Sequence, residues 1–360
     1  CNPVFPANHT QVNISTENQI GLSLLHYGKR RFRITINIMS KKGKYDSPWK
    51  ATLQGIKDRN RTEGEAVQLP DTFDLSDKTV FITGASAGLG WATAVRCAAA
   101  GCKLIIANRS GFPEKVNELQ EITGNSQISG YKVDLSDLDQ VRDLPARLAA
   151  DGISIDILIS NAAMVPLKAR KTRQGLEEMF VVNYLAPFYM IRELIAQQVL
   201  VESGKVIIVS SESHRNAQDI DWASFGAFEP YSMKQTVGRY GYFKLFLTAF
   251  AKELSRRTGH PVRSLCPGPV NSSIAREAPG WMQPLLKMAF SLFFRSPEKA
   301  SDPVMYFVSE DSAEKAFDYL FLMRRKEIDE KAIDEANGQR LWKESEALLT
   351  SLDYPLTPMK

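Results

Sequence analysis

The sequence predicts an α/β fold: a doubly wound parallel sheet with helices on both faces, forming three layers in a single domain with an N-terminal extension. Short apolar runs alternate with helical patterns, and the first four runs end at Ile82, Ala107, Val133 and Ile159. Four such alternations are built most simply from parallel strands joined by helical crossovers. The 44% hydrophobic composition of the 360 residues suffices for one large core or two modest ones.

A glycine-rich turn follows the first predicted strand and leads into an alanine-rich helix that stops at Gly101. In this turn Gly84 permits a sharp bend, Gly88 lets the backbone approach a ligand, and Gly90 allows close contact between helix and strand. The free N–H groups and positive dipole end of the helix favour a phosphate, so a dinucleotide is the expected ligand. Glycines after a strand also occur where they serve packing alone.

The ends of the second and third strands bear on the type of cofactor. An acid after the second strand would bind the ribose 2′-hydroxyl of NAD(H), but here Asn108 avoids repelling a 2′-phosphate and Arg109 offers a fork-shaped cation to hold one. NADP(H) is therefore favoured over NAD(H), although a surface arginine at a strand end would look the same. Asp134, after the third strand, either accepts a hydrogen bond from an adenine amino group or caps the helix that begins near Ser136.

Composition and charge argue against several classes of protein. The formal net charge is only +4, and the basic excess lies between Lys29 and Arg61, so a nucleic-acid-binding domain is not expected. The four cysteines and four histidines show no metal-ligand spacing, so no metal site is predicted. No apolar run reaches the roughly 18 residues needed to span a bilayer. The scattered cysteines fit a reducing compartment, and a cytoplasmic protein is expected.

Three segments are expected along the chain. Residues 1–75 form a basic extension with an edge-strand pattern at Arg31–Met39, residues 76–350 form the nucleotide-binding domain, and residues 351–360 form a tail. Because the sequence from Met39 onward reads like an ordinary translation start, the residues before it are expected to be upstream read-through or a fragment.

A polar residue interrupts the helix predicted from about Thr172 to Leu200. Asn183 lies among large apolar side chains, where its amide needs a partner. Pro187, four residues later, has no N–H to donate to the Asn183 carbonyl. The helix is therefore expected to bend, and the freed carbonyl to bind an ordered water.

Two further stretches bring a hydroxyl, a phenol and an amine to one region. The fifth strand delivers Ser211 at its carboxyl end, where ligands bind in such sheets. Tyr240 and Lys244 open an amphipathic helix and, being four residues apart, share one of its faces. Tyr231 and Lys234, three apart in a loop-like stretch, are the competing pair.

These motifs, in this order, resemble the short-chain dehydrogenase/reductase family over about residues 76–350. The residues that carry the resemblance are Thr83–Gly90, Asn161–Ala163, Asn183, Ser211, Tyr240, Lys244 and Pro267–Val270. The second of these, Asn-Ala-Ala, departs from the commoner Asn-Ala-Gly, but alanine still permits close packing. Within the family the chain looks most like the retinol dehydrogenase-like branch, and the signs are Asn108–Arg109, the long gap between Ser211 and Tyr240, Arg295–Glu298 and Arg340–Leu348.

The resemblance implies a Rossmann fold and direct hydride transfer. Tyr240 would be the general acid in reduction and the base in oxidation, and Ser211 would donate a hydrogen bond to the reacting oxygen. Lys244 would hold the nicotinamide ribose and, with oxidised nicotinamide, lower the Tyr240 pKa from about 10. The carbonyl of Asn183 would hold a water that links Lys244 to solvent. The cofactor-binding residues implied are Gly84, Ser86, Ala87, Gly88, Leu89, Gly90, Arg109, Asp134, Leu135, Asn161, Ala162, Tyr240, Lys244, Pro267, Gly268 and Val270.

The substrate class is expected from the segment 271–300, where the resemblance places a lid. Its large apolar side chains are too numerous for one helix face, so an apolar, bulky aldehyde, ketone or alcohol is the expected substrate. Contact of this patch with a membrane surface or a partner subunit is the alternative. A homodimer is common for such a fold, and the residues leave the oligomeric state open.

The expected function is that of an NADP(H)-dependent oxidoreductase that interconverts an apolar carbonyl compound and its alcohol. A protochlorophyllide-reductase-like activity is the rival within the enzyme class, suggested by Asn161–Ala163 and Arg109. A nucleotide-sensing protein without turnover is the rival outside it. That rival predicts an incomplete catalytic set, whereas here all four catalytic positions are filled.

Overall fold

A computed structural model of the chain describes residues 64–270, 295–310 and 317–359. The expectations for the basic N-terminal segment, for a start at Met39 and for residues 271–294 of the lid lie outside these ranges. The described residues form one sheet of eight strands: β1 Thr79–Thr83, β2 Lys103–Asn108, β3 Ile128–Lys132, β4 Ile155–Ser160, β5 Leu200–Val209, β6 Val262–Cys266, β7 Asp318–Phe321 and β8 Arg324–Arg325.

The strands lie in the order β3-β2-β1-β4-β5-β6-β7-β8, and all pairs are parallel except β7 with β8. The apolar runs are continuous because both faces of this sheet are buried. Along β1, Phe81 faces one core while Val80 and Ile82 face the other. The predicted doubly wound parallel sheet is confirmed, and the strand order reverses between β1 and β4, where such sheets bind their ligands.

The helices form the two outer layers of the predicted three. One face of the sheet is covered by α3, α4, α5 and α9, and the other by α1, α2 and α7. The helices of the described residues are α1 Gly88–Ala99, α2 Glu114–Thr123, α3 Leu138–Ala150, α4 Glu178–Ala196, α5 Thr236–Arg257, α6 Pro297–Ala300, α7 Asp302–Ser309, α8 Glu330–Ile333 and α9 Glu335–Ser351.

The helix predicted from Thr172 to Leu200 is shorter than expected, because it begins at Glu178 and Leu200 already belongs to β5. It changes register in the middle, with a π-helical stretch over Val181–Leu185 directly before Pro187. A π turn widens the helix, so the helix can continue past Pro187 although that residue has no N–H to donate. α4 is also the one helix in the described ranges that is long and apolar enough to span a membrane, and 89% of its most apolar window is buried within the fold.

Three cysteines of the described chain are free and buried. Cys97 and Cys102 pack in the core on the α1 side of the sheet, as expected for small apolar fillers. Cys266 ends β6 and packs in the opposite core. Burial raises the pKa of Cys102 to about 12 and that of Cys266 to about 11, so these thiols are protonated at neutral pH.

The predicted C-terminal tail packs against α3 and α4. Tyr354 is buried, its ring lies edge-on to Tyr189 at 6.1 Å, and its hydroxyl donates to Asp139 at 2.9 Å. Further along, the hydroxyl and backbone N–H of Thr357 both donate to the buried carboxylate of Glu193. The last residues therefore complete the core on this face of the sheet.

We expect Tyr354→Ala to lower the free energy of unfolding by about 3 kcal/mol, because it removes a buried aromatic ring. Tyr354→Phe is the matched control, since it removes only the hydroxyl and should cost about 1 kcal/mol. Urea unfolding monitored by circular dichroism gives both values. Equal stability of Tyr354→Ala and the wild type would contradict the packing described for the tail.

Candidate active site

The glycine turn after β1 is held closed by a side chain from the next strand in the sheet. Asn161, after β4, donates its Nδ2 to the carbonyls of Thr83 at 2.9 Å and Gly84 at 3.1 Å. Gly84 has a φ of +72°, and a Cβ on Gly90 would lie 2.2 Å from the Gly84 carbonyl oxygen. Only glycine fits at these two positions, and the turn brings the start of α1 to the carboxyl edge of the sheet.

The first turn of α1 has no side-chain cap. Ala87 occupies the N-cap position and offers no hydrogen-bonding side chain, and the first turn contains no acidic residue. Helix N-terminal N–H groups without side-chain acceptors form a favourable site for a phosphate. At the start of α1, Gly88 has a φ of +58° and Leu89 is buried. The residues at this turn therefore fit the pyrophosphate of a dinucleotide.

A cavity of about 290 Å³ extends from the glycine turn across the ends of β2 and β3. Asn108, only 3% exposed, lies at its wall. Its Oδ1 accepts the Ala85 N–H at 2.7 Å, while its Nδ2 has no partner in the described structure. A buried amide donor beside a cleft fits an acceptor-rich ligand such as a nucleotide ribose. The residues predicted for the cofactor that line this cavity are Gly84, Ser86, Arg109, Asp134, Leu135 and Ala162.

One of the two roles predicted for Asp134, capping of the following helix, is wrong. The helix begins at Leu138, and its N-cap is Asp137, whose side chain accepts the N–H of Asp139. Asp134 instead accepts the N–H and hydroxyl of Ser136 and so closes a local turn. Its place in the cavity wall leaves adenine recognition as the functional prediction.

The structure brings Ser211, Tyr240 and Lys244 together at the carboxyl edge of β5. Tyr240 lies in the second turn of α5, close enough to the Ser211 hydroxyl for that group to influence the Tyr240 pKa. The Nζ of Lys244 lies 5.7 Å from the centroid of the Tyr240 ring and donates to the Val209 carbonyl at 2.8 Å. The competing pair is not assembled, because Tyr231 is buried and Lys234 is exposed.

Burial sets the protonation of the phenol and the amine. Tyr240 is partly buried, and desolvation of its phenolate raises its pKa above the ordinary value, with a smaller contribution from nearby Cys266; the neighbouring Ser211 hydroxyl opposes this shift. Burial also lowers the pKa of Lys244 from 10.5 to about 8. The lowering expected from the sequence depends on Lys244 together with oxidised nicotinamide and stays a prediction; in the described residues, desolvation of the phenolate outweighs its polar neighbours.

Asn183 finds its partner in the loop after β4. Its side chain accepts the Met164 N–H and donates to the Met164 carbonyl, each at 2.8 Å, and it is almost fully buried in the π-helical stretch. The amide thus fixes the loop that follows Asn161 to helix α4. The water expected on its main-chain carbonyl stays a prediction.

The loop after β6 places Pro267, Gly268 and Val270 at the same edge of the sheet. Gly268 has a φ of +77°, and a Cβ there would lie 2.6 Å from a methyl group of Leu322. Val270 pairs with Arg295 in a short bridge, which joins the two ends of the undescribed segment 271–294. The described start of this loop therefore has a defined position after β6, and its contact with nicotinamide stays a prediction.

Sequence reasoning missed two residues of this site and the contacts of a third. Ser213 donates to Ser211, and Cys266 lies close enough to Tyr240 and Lys244 to influence the pKa of both. No local signal in the sequence marks these two. Thr83 belongs to the predicted glycine motif, but the structure adds its contacts: its buried hydroxyl accepts the N–H groups of Asn161 and Ala162, both at 3.1 Å.

The described part of the chain contains no group of three or more His, Cys, Asp or Glu side chains that could bind a metal. His214 is buried, its Nδ1 lies 2.6 Å from the Ser211 carbonyl, and its Nε2 accepts the Asp329 N–H. Burial lowers its pKa to about 4, so it is neutral and serves as a link between two loops.

The chain is similar to a family of known dehydrogenases. The family model of the short chain dehydrogenases matches residues 78–283. Human retinol dehydrogenase 13 is 30% identical over 300 residues, which cover 79% of this chain and 88% of the human protein. Human retinol dehydrogenase 14 is 27% identical over 296 residues, which cover 76% and 87% of the two chains.

One solved structure shows how far the fold itself extends. The crystal structure of an uncharacterised protein from Mycobacterium paratuberculosis has a TM-score of 0.60 and 24% identity, over 82% of this chain and 100% of that one. Together the fold and the site define a Rossmann-fold oxidoreductase. The chain belongs to the short-chain dehydrogenase/reductase family, and its relatives place it in the retinol dehydrogenase-like branch.

We expect Lys244→Met to stabilise the fold at neutral pH. The lowered pKa of Lys244 means that its ammonium form costs roughly 3 kcal/mol of stability below about pH 8, and that this cost vanishes above about pH 10.5. The substitution removes this cost, but it also loses the hydrogen bond to Val209, which contributes about 1 kcal/mol. The variant should therefore be about 1–2 kcal/mol more stable than the wild type.

Urea unfolding at neutral and alkaline pH tests this expectation. The advantage of Lys244→Met should shrink as pH rises from 8 to 10.5. Lys234→Met, at an exposed position on the chain before α5, is the control and should show no such trend. A destabilised Lys244→Met variant at neutral pH would contradict the assigned cost of burying the ammonium.

Proposed function

We propose that the protein is an NADP(H)-dependent oxidoreductase that interconverts an apolar aldehyde or ketone and its alcohol, with Tyr240 as general acid and base. The observation that carries this proposal is the convergence of Ser211, Tyr240 and Lys244 at the carboxyl edge of the sheet, the edge that also carries the cleft. The neighbouring Gly84 turn and the uncapped start of α1 fit the pyrophosphate. When bound, the cofactor supplies or accepts the hydride.

The residues of the chain supply the proton and the hydrogen bonds. Since burial raises the pKa of Tyr240, its phenol is protonated at neutral pH and ready to give its proton to the developing alkoxide in reduction. Ser211 donates a hydrogen bond to the same oxygen, and the Lys244 ammonium stabilises the phenolate left behind. The carbonyl of Asn183, which lacks an α-helical donor because of Pro187, holds a water that returns protons to Lys244.

The preference for NADP(H) rests on Arg109 and Asn108. Arg109 is an exposed cation in the cavity wall, and the Nδ2 of Asn108 adds a neutral donor where an acid would repel a 2′-phosphate. An apolar substrate agrees with the name of the relatives, retinol dehydrogenase, and with the apolar sequence of residues 271–294. The cytoplasmic location stays a prediction.

We expect Tyr240→Phe to lower kcat for NADPH-dependent reduction at least about 100-fold, because it removes the proton donor. The assay follows the absorbance of reduced nicotinamide with a panel of apolar aldehydes and ketones. Tyr242→Phe is the control, because Tyr242 lies on the same helix but its oxygen accepts the Asp221 N–H. Full turnover by Tyr240→Phe would refute the role of the phenol.

We expect Arg109→Ala to weaken the affinity for NADPH about 10- to 100-fold, the loss of one charge-assisted hydrogen bond, and to leave NADH almost unchanged. Fluorescence titration with each nucleotide measures the two dissociation constants. Arg340→Ala, at an exposed position on α9, is the control. Equal weakening of both nucleotides would sink the assignment of Arg109 to the 2′-phosphate.

A further inference from the structure

The hydroxyl oxygen of Ser211 is already engaged by a second serine, two residues along the chain. The Ser213 hydroxyl donates to Ser211 Oγ at 2.8 Å, and the Ser213 backbone N–H donates to the same atom at 3.3 Å. A serine hydroxyl has two acceptor lone pairs and one hydrogen. Both acceptor positions of Ser211 are therefore used by Ser213, and only its hydrogen remains to bond elsewhere.

The remaining hydrogen of Ser211 is the part of this hydroxyl that is left for the reacting side of the site. The hydroxyl lies close enough to Tyr240 to favour its phenolate, and so acts against the rise that desolvation causes in the Tyr240 pKa. The carbonyl of Ser211 is engaged separately, since it accepts the backbone N–H and the Nδ1–H of His214. The oxygen of the Ser211 hydroxyl thus has fixed partners, while its hydrogen is left for a ligand.

Ser213 is itself held by its surroundings. Helix α5 approaches so closely that a Cβ on Gly241, the residue after Tyr240, would lie 2.6 Å from the Ser213 carbonyl oxygen. On one side, the carboxylate of Glu212 accepts from Arg215 at 3.0 Å and Lys326 at 2.6 Å. Two neighbouring elements thus fix the turn that carries Ser213 relative to the Tyr240 helix.

We propose that Ser213 is a positioning residue for catalysis: its hydroxyl orients the Ser211 hydroxyl so that the Ser211 hydrogen points at the reacting oxygen. This inference rests on the proposed function and adds to it a residue that touches neither substrate nor cofactor. Without Ser213 the Ser211 hydroxyl can rotate and spends part of its time bonded elsewhere. The loss should therefore appear in the chemical step and leave binding unchanged.

The test compares kcat, KM and cofactor affinity of Ser213→Ala, Ser213→Thr and the wild type. Ser213→Ala should lower kcat about tenfold, as expected for one misplaced neutral hydrogen bond, with KM and NADPH affinity within about twofold. Ser213→Thr retains the hydroxyl and should restore kcat to within about threefold of the wild type. Ser224→Ala is the control, since its hydroxyl bonds only to Asp221 in the next short turn.

Two further readouts separate positioning from a general loss of structure. In a Ser211→Ala background, Ser213→Ala should have no additional effect on kcat, because the hydroxyl that it orients is gone. In alcohol oxidation, which needs the Tyr240 phenolate, the rising limb of the pH profile should move to higher pH in Ser213→Ala. A purely structural role would lower the melting temperature and leave this limb in place.

Each outcome decides between the two proposals. Turnover by the wild type with an unchanged kcat in Ser213→Ala would overturn the positioning role and leave the oxidoreductase proposal intact. A rise in KM with constant kcat would also overturn it, because Ser213 would then contact substrate directly. Absence of turnover by the wild type on every carbonyl and alcohol of the panel would overturn the proposed function and this inference with it.

Discussion

The site depends on a cation that is buried without an acid beside it. Lys244 is 1% exposed, and in the described ranges its ammonium has the Val209 carbonyl as hydrogen-bond partner and no carboxylate within ion-pair distance. Such a charge is costly to desolvate, and the lowered pKa of Lys244 expresses that cost. A carboxylate beside Lys244 would reduce this cost, but it would also neutralise the charge that, in the proposed function, stabilises the Tyr240 phenolate. The proposed function therefore requires a cation that lowers the stability of the fold.

The sheet brings the groups of the site together from distant parts of the sequence. Adjacent parallel strands end at one edge, so the residues after β1, β2, β3 and β4 form the cleft for the nucleotide, and those after β5 and β6 surround the phenol. Asn161 ties the first and fourth of these ends together, and Asn183 ties the fourth to helix α4. The polar side chains at the edge therefore fix the backbone as well as facing a ligand.

The sequence was sufficient to predict the sheet, the glycine turn and the serine–tyrosine–lysine set. These depend on local spacing: alternating apolar runs, glycines at a strand end, and two side chains four residues apart on a helix. The π turn before Pro187 was not predictable in detail, because a bend can be made in several ways. The partner of Asn183 and the hydroxyl that orients Ser211 depend on contacts between separate segments, and no periodicity records such contacts. The rise that desolvation causes in the Tyr240 pKa was not predictable for a related reason, since burial is a property of the assembled fold.

The buried thiols can report local opening of the fold. Cys97 and Cys102 lie on one side of the sheet and Cys266 on the other, and burial keeps all three protonated and shielded from solvent. An alkylating reagent can reach each sulfur only when the layer above it opens, so the rate of labelling at each cysteine reads out the opening of a different layer. Cys266, which lies near Tyr240, would report opening at the carboxyl edge of the sheet separately from opening on the α1 side.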